Sequence, residues 1–204
     1  SEQFGKIHET PQNESTKFYP RSPYGCAKAF AHTVCVNYRE AYGMFVACAI
    51  MFNHESPRRG EEFVTRKITK AVARIKAGLQ ERVTLGNLNA SRDWGLARDY
   101  MLGAWMCLQH DKPEDFLFST GQTHTVKQWL EKACEIAGIE YWNAFTQDPA
   151  FERQSEVDYL KGDSSKAFKL LGWKPTKTFD EIVKEMVEAD IERTKVEPSN
   201  SLSR

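Results

Sequence analysis

The chain is 204 residues long and 41% hydrophobic, enough to bury one good core or parts of two smaller ones. Its 28 basic residues equal its 28 acidic ones, so no overall field draws it to nucleic acid or an anionic membrane, and an anionic ligand must be held by local charge. No apolar run approaches the ~20 residues of a spanning helix, and the opening SEQFGKIHET lacks the basic and apolar regions of a signal peptide, so the cytosol is the expected location.

After SPYG, the segment CAKAFAHTVCVNYREAYG repeats Ala27, Phe30, Ala31 and Val34 at helical spacing and stops at Gly43, which predicts a helix over about 23–42. MFVACAIMF follows as a continuous apolar run, the pattern of a strand covered on both faces in a parallel sheet. EEFVTRKITKAVARIKAG predicts an amphipathic helix with Phe63, Ile68, Val72 and Ile75 along one side and a stop at Gly78. A short strand RVTLG comes next, then a helix over DWGLARDYMLGAWMCLQH, a second parallel strand DFLFST, and a helix over TVKQWLEKACEIAG closed by Gly138. KAFKLLGW and TFDEIVKEMVEADIERTK read as helices, the second opened by the capping sequence Thr178-x-x-Glu181, and the tail VEPSNSLSR is expected to fray. Helices alternating with buried strands give an α/β fold class.

The five cysteines, at 26, 35, 48, 107 and 134, are odd in number and widely spaced among small apolar residues, which suits reduced packing thiols. No CxxC occurs, and no metal site is expected. Nor do any of the glycines form the Gly-x-x-Gly-x-x-Gly-like turn that seats a pyrophosphate at a helix N-terminus. Either the chain does not bind a dinucleotide, or it corresponds to the later part of a protein that does.

Three clusters carry chemistry. FNHESPRRG directly follows the buried strand, at the strand end where open α/β sheets place their ligands, and gathers Asn53, His54, Arg58 and Arg59. Paired arginines ahead of a helix can grip phosphate by forked hydrogen bonds, or can form a solvated basic turn. In LGNLNASRDWG, Asp93 fits a helix cap, and Arg92 fits either an anion or a neighbouring carboxylate. Tyr24 and Lys28 lie four apart on the first helix. A tyrosine with a solution pKa near ~10 becomes a useful base when a cation stabilises its phenolate, and an i,i+4 lysine can do so. About half an occurrence of that spacing is expected by chance, so the spacing alone is equally compatible with an ordinary helix face.

Taken in order, SEQFGK, FYPRSPYGCAKAFA, NYREAYG, NHESPRRGEEFVTRKI, LGNLNASRDWG, SEVDYLKGD and LGWKP resemble the signature segments of the extended short-chain dehydrogenase/reductase family, in its sugar-nucleotide branch, over nearly the whole chain. The resemblance implies the later part of a Rossmann-like parallel sheet with flanking helices, plus a small α/β substrate lobe. On that reading residues 1–52 hold the remaining Rossmann-like part and the catalytic helix. Residues 53–204 are mainly the sugar-nucleotide lobe, with about 92–120 returning to the Rossmann-like core. It further implies NADP as cofactor, GDP-mannose as substrate, a homo-oligomer (dimer or tetramer), and an internal redox dehydration to the 4-keto-6-deoxy sugar. By position, Tyr24 is the base for C4 oxidation, Lys28 lowers its pKa and holds the nicotinamide ribose, and Glu2 removes the C5 proton. His54 and Arg59 match cofactor contacts, with the Arg58–Arg59 loop reaching a neighbouring subunit's cofactor. Asn53, Val64, Lys67, Leu85, Gly86, Arg92, Arg153 and Glu156 match positions around the GDP-sugar, with Arg92 and Arg153 on the diphosphate.

The chain departs from that pattern in two respects. The glycine-rich turn and the family's catalytic Thr, two residues before the Glu, are absent, and Gln154 stands where the family has Pro. A fragment is therefore expected, holding little NADP alone and exposing sheet edge and apolar surface. Two alternatives stay open at this point: another sugar-nucleotide enzyme of the family, or an inactive GDP-sugar-binding or assembly module.

Overall fold

The computed structural model describes residues 1–151, 157 and 159–196. In chain order the elements are α1 (Pro23–Tyr42), β1 (Cys48–Met51), β2 (Asn53–Glu55), α2 (Val64–Lys76), β3 (Val83–Leu85), β4 (Ser91–Arg92), β5 (Trp94–Leu96), α3 (Ala97–Gln109), β6 (Asp115–Phe118), β7 (His124–Thr125), α4 (Val126–Ala137), α5 (Tyr141–Ala144), β8 (Phe145–Gln147), α6 (Ser165–Leu171) and α7 (Phe179–Thr194). They fall into two compact units. The first comprises Ser1–His54, Ala90–His124 and Arg153–Thr178, the second Glu55–Asn89, Thr125–Glu152 and Phe179–Arg204.

In the first unit β1 and β6 pair in parallel, Ile50 opposite Leu117 and Met51 opposite Phe118, and the Phe52 amide continues the ladder to the Phe118 carbonyl at 3.0 Å. The core gathers Phe4, Ile50, Phe52, Tyr100, Phe116, Phe118 and Trp173. Trp173 meets Phe118 edge-on at 4.9 Å and donates its indole N–H to the Asp99 carbonyl at 2.7 Å, so its polar end is satisfied in the interior. Helix α3 comes close to the sheet at Gly103, where a Cβ would stand 2.5 Å from the Phe118 ring.

In the second unit α2, α4 and α7 pack on one another around Ile68, Val72, Trp129, Leu130, Ile182, Val183 and Met186, all buried. Each side chain of this size buried in full contributes ~1.5–3 kcal/mol, which accounts for the coherence of three modest helices. A short parallel ladder, β3 with β8, flanks them. α4 opens with a reciprocal capping box of Thr125 and Gln128, which was not foreseen, and ends as expected at Gly138, in the left-handed conformation.

Several expectations need correction. The apolar run over 44–52 forms a strand only from Cys48, and Met44 and Phe45 are exposed. The helix over 23–42 is present, but its apolar positions are not buried within the chain. Gly25 is its one buried residue, and Phe30 is 72% exposed. On α2 the buried side is Thr65, Arg66, Ile68, Thr69 and Val72, with Phe63 exposed, because a buried acid across the helix captures the polar groups. The third helix begins at Ala97 with no side-chain cap, so Asp93 does not cap it. Of the cysteines, Cys107 and Cys134 are buried as packing thiols but Cys26 is exposed, and all five are free. The tail at 197–204 lies outside the described residues.

Candidate active site

The start of α1 is organised by short-range chemistry. Ser22 caps the helix by accepting from the Gly25 amide at 3.0 Å, and Pro23 supplies a fixed first φ. The opening segment runs beside this entry, with Lys6 N–H donating to the Tyr19 carbonyl at 2.9 Å and Tyr19 N–H to the Phe4 carbonyl at 3.1 Å. Glu2 is thereby brought against the helix. A Cβ at Gly25 would stand 2.7 Å from the Glu2 carbonyl oxygen, so only glycine permits this approach. Tyr24 is 59% exposed, and the Lys28 ammonium lies 5.5 Å from its ring centroid. The Ser1 nitrogen, 2.7 Å from the Met51 carbonyl, is within electrostatic reach of both Glu2 and Lys28. Glu2, Tyr24 and Lys28 thus cluster at one corner of the first unit.

The far end of α1 is moored differently. Asp115 on β6 accepts from Arg39 at 2.7 Å and lies 2.9 Å from the His32 ring nitrogen. Burial alone would raise the Asp115 pKa, but Arg39 and His32 outweigh it and hold the group below its ordinary value. His32, Asp115 and Cys48 have ligand atoms within 4.8 Å of one another. Burial pushes the Cys48 thiol up to about 12, and Asp115 is already committed to Arg39, so the cluster acts as a clamp between helix and strand.

FNHESPRRG was expected to be a loop; instead Asn53–Glu55 forms β2, paired with β5 after a one-residue break at Phe52. Strand geometry turns successive side chains to opposite sides. The Asn53 side-chain oxygen is buried without a hydrogen-bond partner among the described residues, an acceptor suited to a ligand hydroxyl or N–H. His54 bonds the Phe52 carbonyl through Nδ1 at 2.9 Å and stacks on Tyr100 at 5.1 Å.

In the second unit, Arg58 is exposed, whereas the Arg59 guanidinium carbon lies 3.6 Å from the Phe63 ring centroid. Glu55, which sequence reasoning passed over, is 1% exposed, accepts from Thr65 Oγ1 at 2.5 Å and faces Arg59 Nε at 3.4 Å. Its neighbour pattern gave no hint, because the partner hydroxyl sits ten residues on. Burial raises its pKa to about 7, with Arg59 and Thr65 opposing. A carboxyl whose folded pKa exceeds its unfolded value favours folding most below about pH 4.5, and that advantage is lost as pH rises through about 7. Glu55→Gln is therefore expected to gain stability over the parent between about pH 5 and pH 8, by up to about 3 kcal/mol. Urea unfolding at the two pH values measures this, and an unchanged difference would count against a raised pKa.

Val64 opens α2, and Lys67 donates to the Thr84 carbonyl at 2.7 Å with its ammonium 4.7 Å from the Phe151 ring. Lys67 lines a cavity of about 440 Å³ with Lys70, Arg74, Arg82 and Thr84. Leu85 is buried on β3 and Gly86 follows it. Arg92, in the first unit, is buried and donates to the Ser91 carbonyl at 3.0 Å. Arg153 and Glu156 lie outside the described residues. Asp93 is wholly buried and accepts from Thr120 N–H (2.8 Å), Thr120 Oγ1 (2.6 Å), Gly121 N–H (2.9 Å) and, more weakly, Gly162 N–H (3.4 Å). Burial raises its pKa, those donors opposing. It pins two loops in place of capping a helix.

Comparisons with known proteins agree with this layout. The family model described as GDP-mannose 4,6 dehydratase matches residues 1–186. The chain is 51% identical to GDP-mannose 4,6 dehydratase 1 of Arabidopsis thaliana over 97% of its own length and 54% of that protein's, and 47% identical to the Homo sapiens GDP-mannose 4,6 dehydratase over 98% and 58%. It therefore spans between half and three-fifths of the curated relatives it matches. Among solved structures, RMD from Pseudomonas aeruginosa complexed with NADPH superposes with a TM-score of 0.86 at 26% identity, over 94% of this chain and 64% of that one. The dTDP-glucose 4,6-dehydratase of Bacillus anthracis, at 0.83 and 18% identity, over 96% and 60%, shares the fold. With a Rossmann-like α/β fold and close relatives along almost all of its length, the chain belongs to the GDP-mannose 4,6-dehydratase family.

Proposed function

We propose that the chain supplies the acid/base groups and part of the sugar-nucleotide site of an NADP-dependent GDP-mannose 4,6-dehydratase, converting GDP-mannose to GDP-4-keto-6-deoxymannose and water. The observation that carries this reading is the corner of the first unit where Glu2 abuts the start of the helix displaying Tyr24 and Lys28. Tyr24, as phenolate, takes the proton of the C4 hydroxyl, and the Lys28 charge beside it stabilises that phenolate. The resulting ketone acidifies the C5 hydrogen, which Glu2 removes as a proton and passes to the departing C6 hydroxyl, released as water; the proton taken from the C4 hydroxyl is returned to C5 when hydride reaches C6. A bound NADP would supply the hydride acceptor for C4 and the hydride donor for C6, with no net consumption of cofactor.

The residues present fit such a cofactor. In the first unit Tyr24 and Lys28 offer a hydroxyl and an ammonium on the exposed side of α1, suited to a ribose, with His54 as a further contact. In the second unit Arg59 offers a planar fork for phosphate beside Arg58, the pair that the family pattern directs at a neighbouring subunit's cofactor. The unpartnered Asn53 oxygen is an acceptor for the sugar nucleotide. Val64, Lys67, Leu85, Gly86 and Arg92, together with Arg153 and Glu156, complete the set assigned to GDP-mannose. A homo-oligomer follows from the same family pattern.

The test is a chimera in which the amino-terminal part of the Arabidopsis thaliana relative precedes Ser1, compared with the 204-residue chain. The chimera is expected to make the 4-keto product. In it, Tyr24→Phe should lower turnover by about 10²–10⁴-fold at the C4 oxidation step, whereas Glu2→Gln should still reduce the nicotinamide and then stall before elimination. Unimpaired turnover in both variants would refute the assigned roles.

A further inference from the structure

We propose that Glu55 is a positioning residue that aims the Arg59 guanidinium at a ligand phosphate; this rests on the reading of Arg59 as a cofactor contact. Arg59 is fixed at both its main chain and its side chain. Its carbonyl accepts from Arg66 at 2.9 Å, and Arg66 is itself held by a two-pronged pair with buried Asp190, at 2.9 and 3.0 Å from Nε and 2.7 Å from the second terminal nitrogen. Its side chain lies between the Phe63 ring, 3.6 Å below, and the Glu55 carboxylate.

The Glu55 contact is ionic and directional. Arg59 Nε is buried and makes no regular hydrogen bond among the described residues, yet it lies 3.4 Å from Glu55 Oε2. A guanidinium is a rigid planar fork, so occupying its Nε edge leaves the two terminal nitrogens for an outside oxyanion. Arg58, one residue earlier, is exposed, so of the adjacent pair only Arg59 is held in this way. A buried acid is a poor way to gain stability, since an apolar residue of similar volume serves as well or better. What Glu55 contributes is orientation. The charged and polar groups that face it are Arg59 from the turn and Thr65 from α2; Arg66 of the same helix is already neutralised by Asp190 of α7.

The experiment follows the Arg59 Nε–H resonance in the 204-residue chain labelled at arginine, with inorganic pyrophosphate as the probe. The resonance is expected to titrate near neutral pH in the parent and to stay flat in Glu55→Gln. Pyrophosphate is expected to bind about tenfold more weakly to that variant, while Arg58→Ala retains the titration. The titration in the parent needs no variant, so it remains readable even if Glu55→Gln folds poorly. A resonance indifferent to both pH and Glu55→Gln overturns the proposal. So does a titrating resonance with equal pyrophosphate affinity in parent and variant. A resonance that titrates with Glu55 but never responds to pyrophosphate removes the cofactor role of Arg59 and leaves Glu55 as a packing contact, an outcome distinct from the other two.

Discussion

Asp93→Ala is expected to lower the stability of the chain by about 3–5 kcal/mol. The carboxylate accepts two bonds from Thr120 and one from the Gly121 amide, with the Gly162 amide at 3.4 Å. Removing it orphans those donors at the end of β6, and each unsatisfied buried group costs ~1–3 kcal/mol. Asp93→Asn should cost less, because one oxygen still accepts while its new N–H₂ confronts donors. The order of urea midpoints, parent above Asn above Ala, is the measurement. An Ala variant within about 1 kcal/mol of the parent would mean that water replaces the carboxylate at this hub.

A second large effect lies in the other unit. Asp190 is buried and serves Arg66 in fork geometry, Thr69 Oγ1 at 2.7 Å and Arg193 at 3.0 Å. Asp190→Ala leaves the Arg66 charge in the interior without its partner and is expected to cost about 3–5 kcal/mol. Replacing both partners, Arg66→Met with Asp190→Leu, removes the desolvated charges together, and most of that loss should return. A double-mutant cycle on urea unfolding isolates the coupling, and strictly additive single effects would show that the two groups do not depend on each other.

How much of this was legible in the sequence depends on the range of the interactions. Elements that rest on local periodicity and glycine stops were readable: α1 from Gly43, α4 from its apolar spacing and Gly138, β6 from DFLF. The corner of Glu2, Tyr24 and Lys28 was reachable only through resemblance, since 22 residues separate the acid from the tyrosine and nothing local requires them to meet. Glu55 was passed over and Asp93 misread as a helix cap for a common reason. A buried carboxylate is defined by donors far along the chain, Thr65 for one and Thr120 with Gly121 for the other, and a pattern of neighbours carries no trace of them. Asn53 was expected on a loop because β2 is three residues long and its partner β5 lies about 40 residues away.

Helix α1 has a consequence for how the proposed acid/base pair is governed. Twenty residues of helix with one buried glycine are held by an N-cap, by Arg39 and by His32, and a helix of that length with so little packing is close to marginal in water. Tyr24 and Lys28 are neighbours only while the helix is wound. The fraction of molecules in which the proposed pair is assembled is therefore set by a local opening equilibrium, separable from unfolding of the β1–β6 core. Any surface that settles over Phe30 and Tyr42 shifts that equilibrium toward the wound state. Association would thus act as an activator without touching the chemistry, by raising the population in which the chemistry exists.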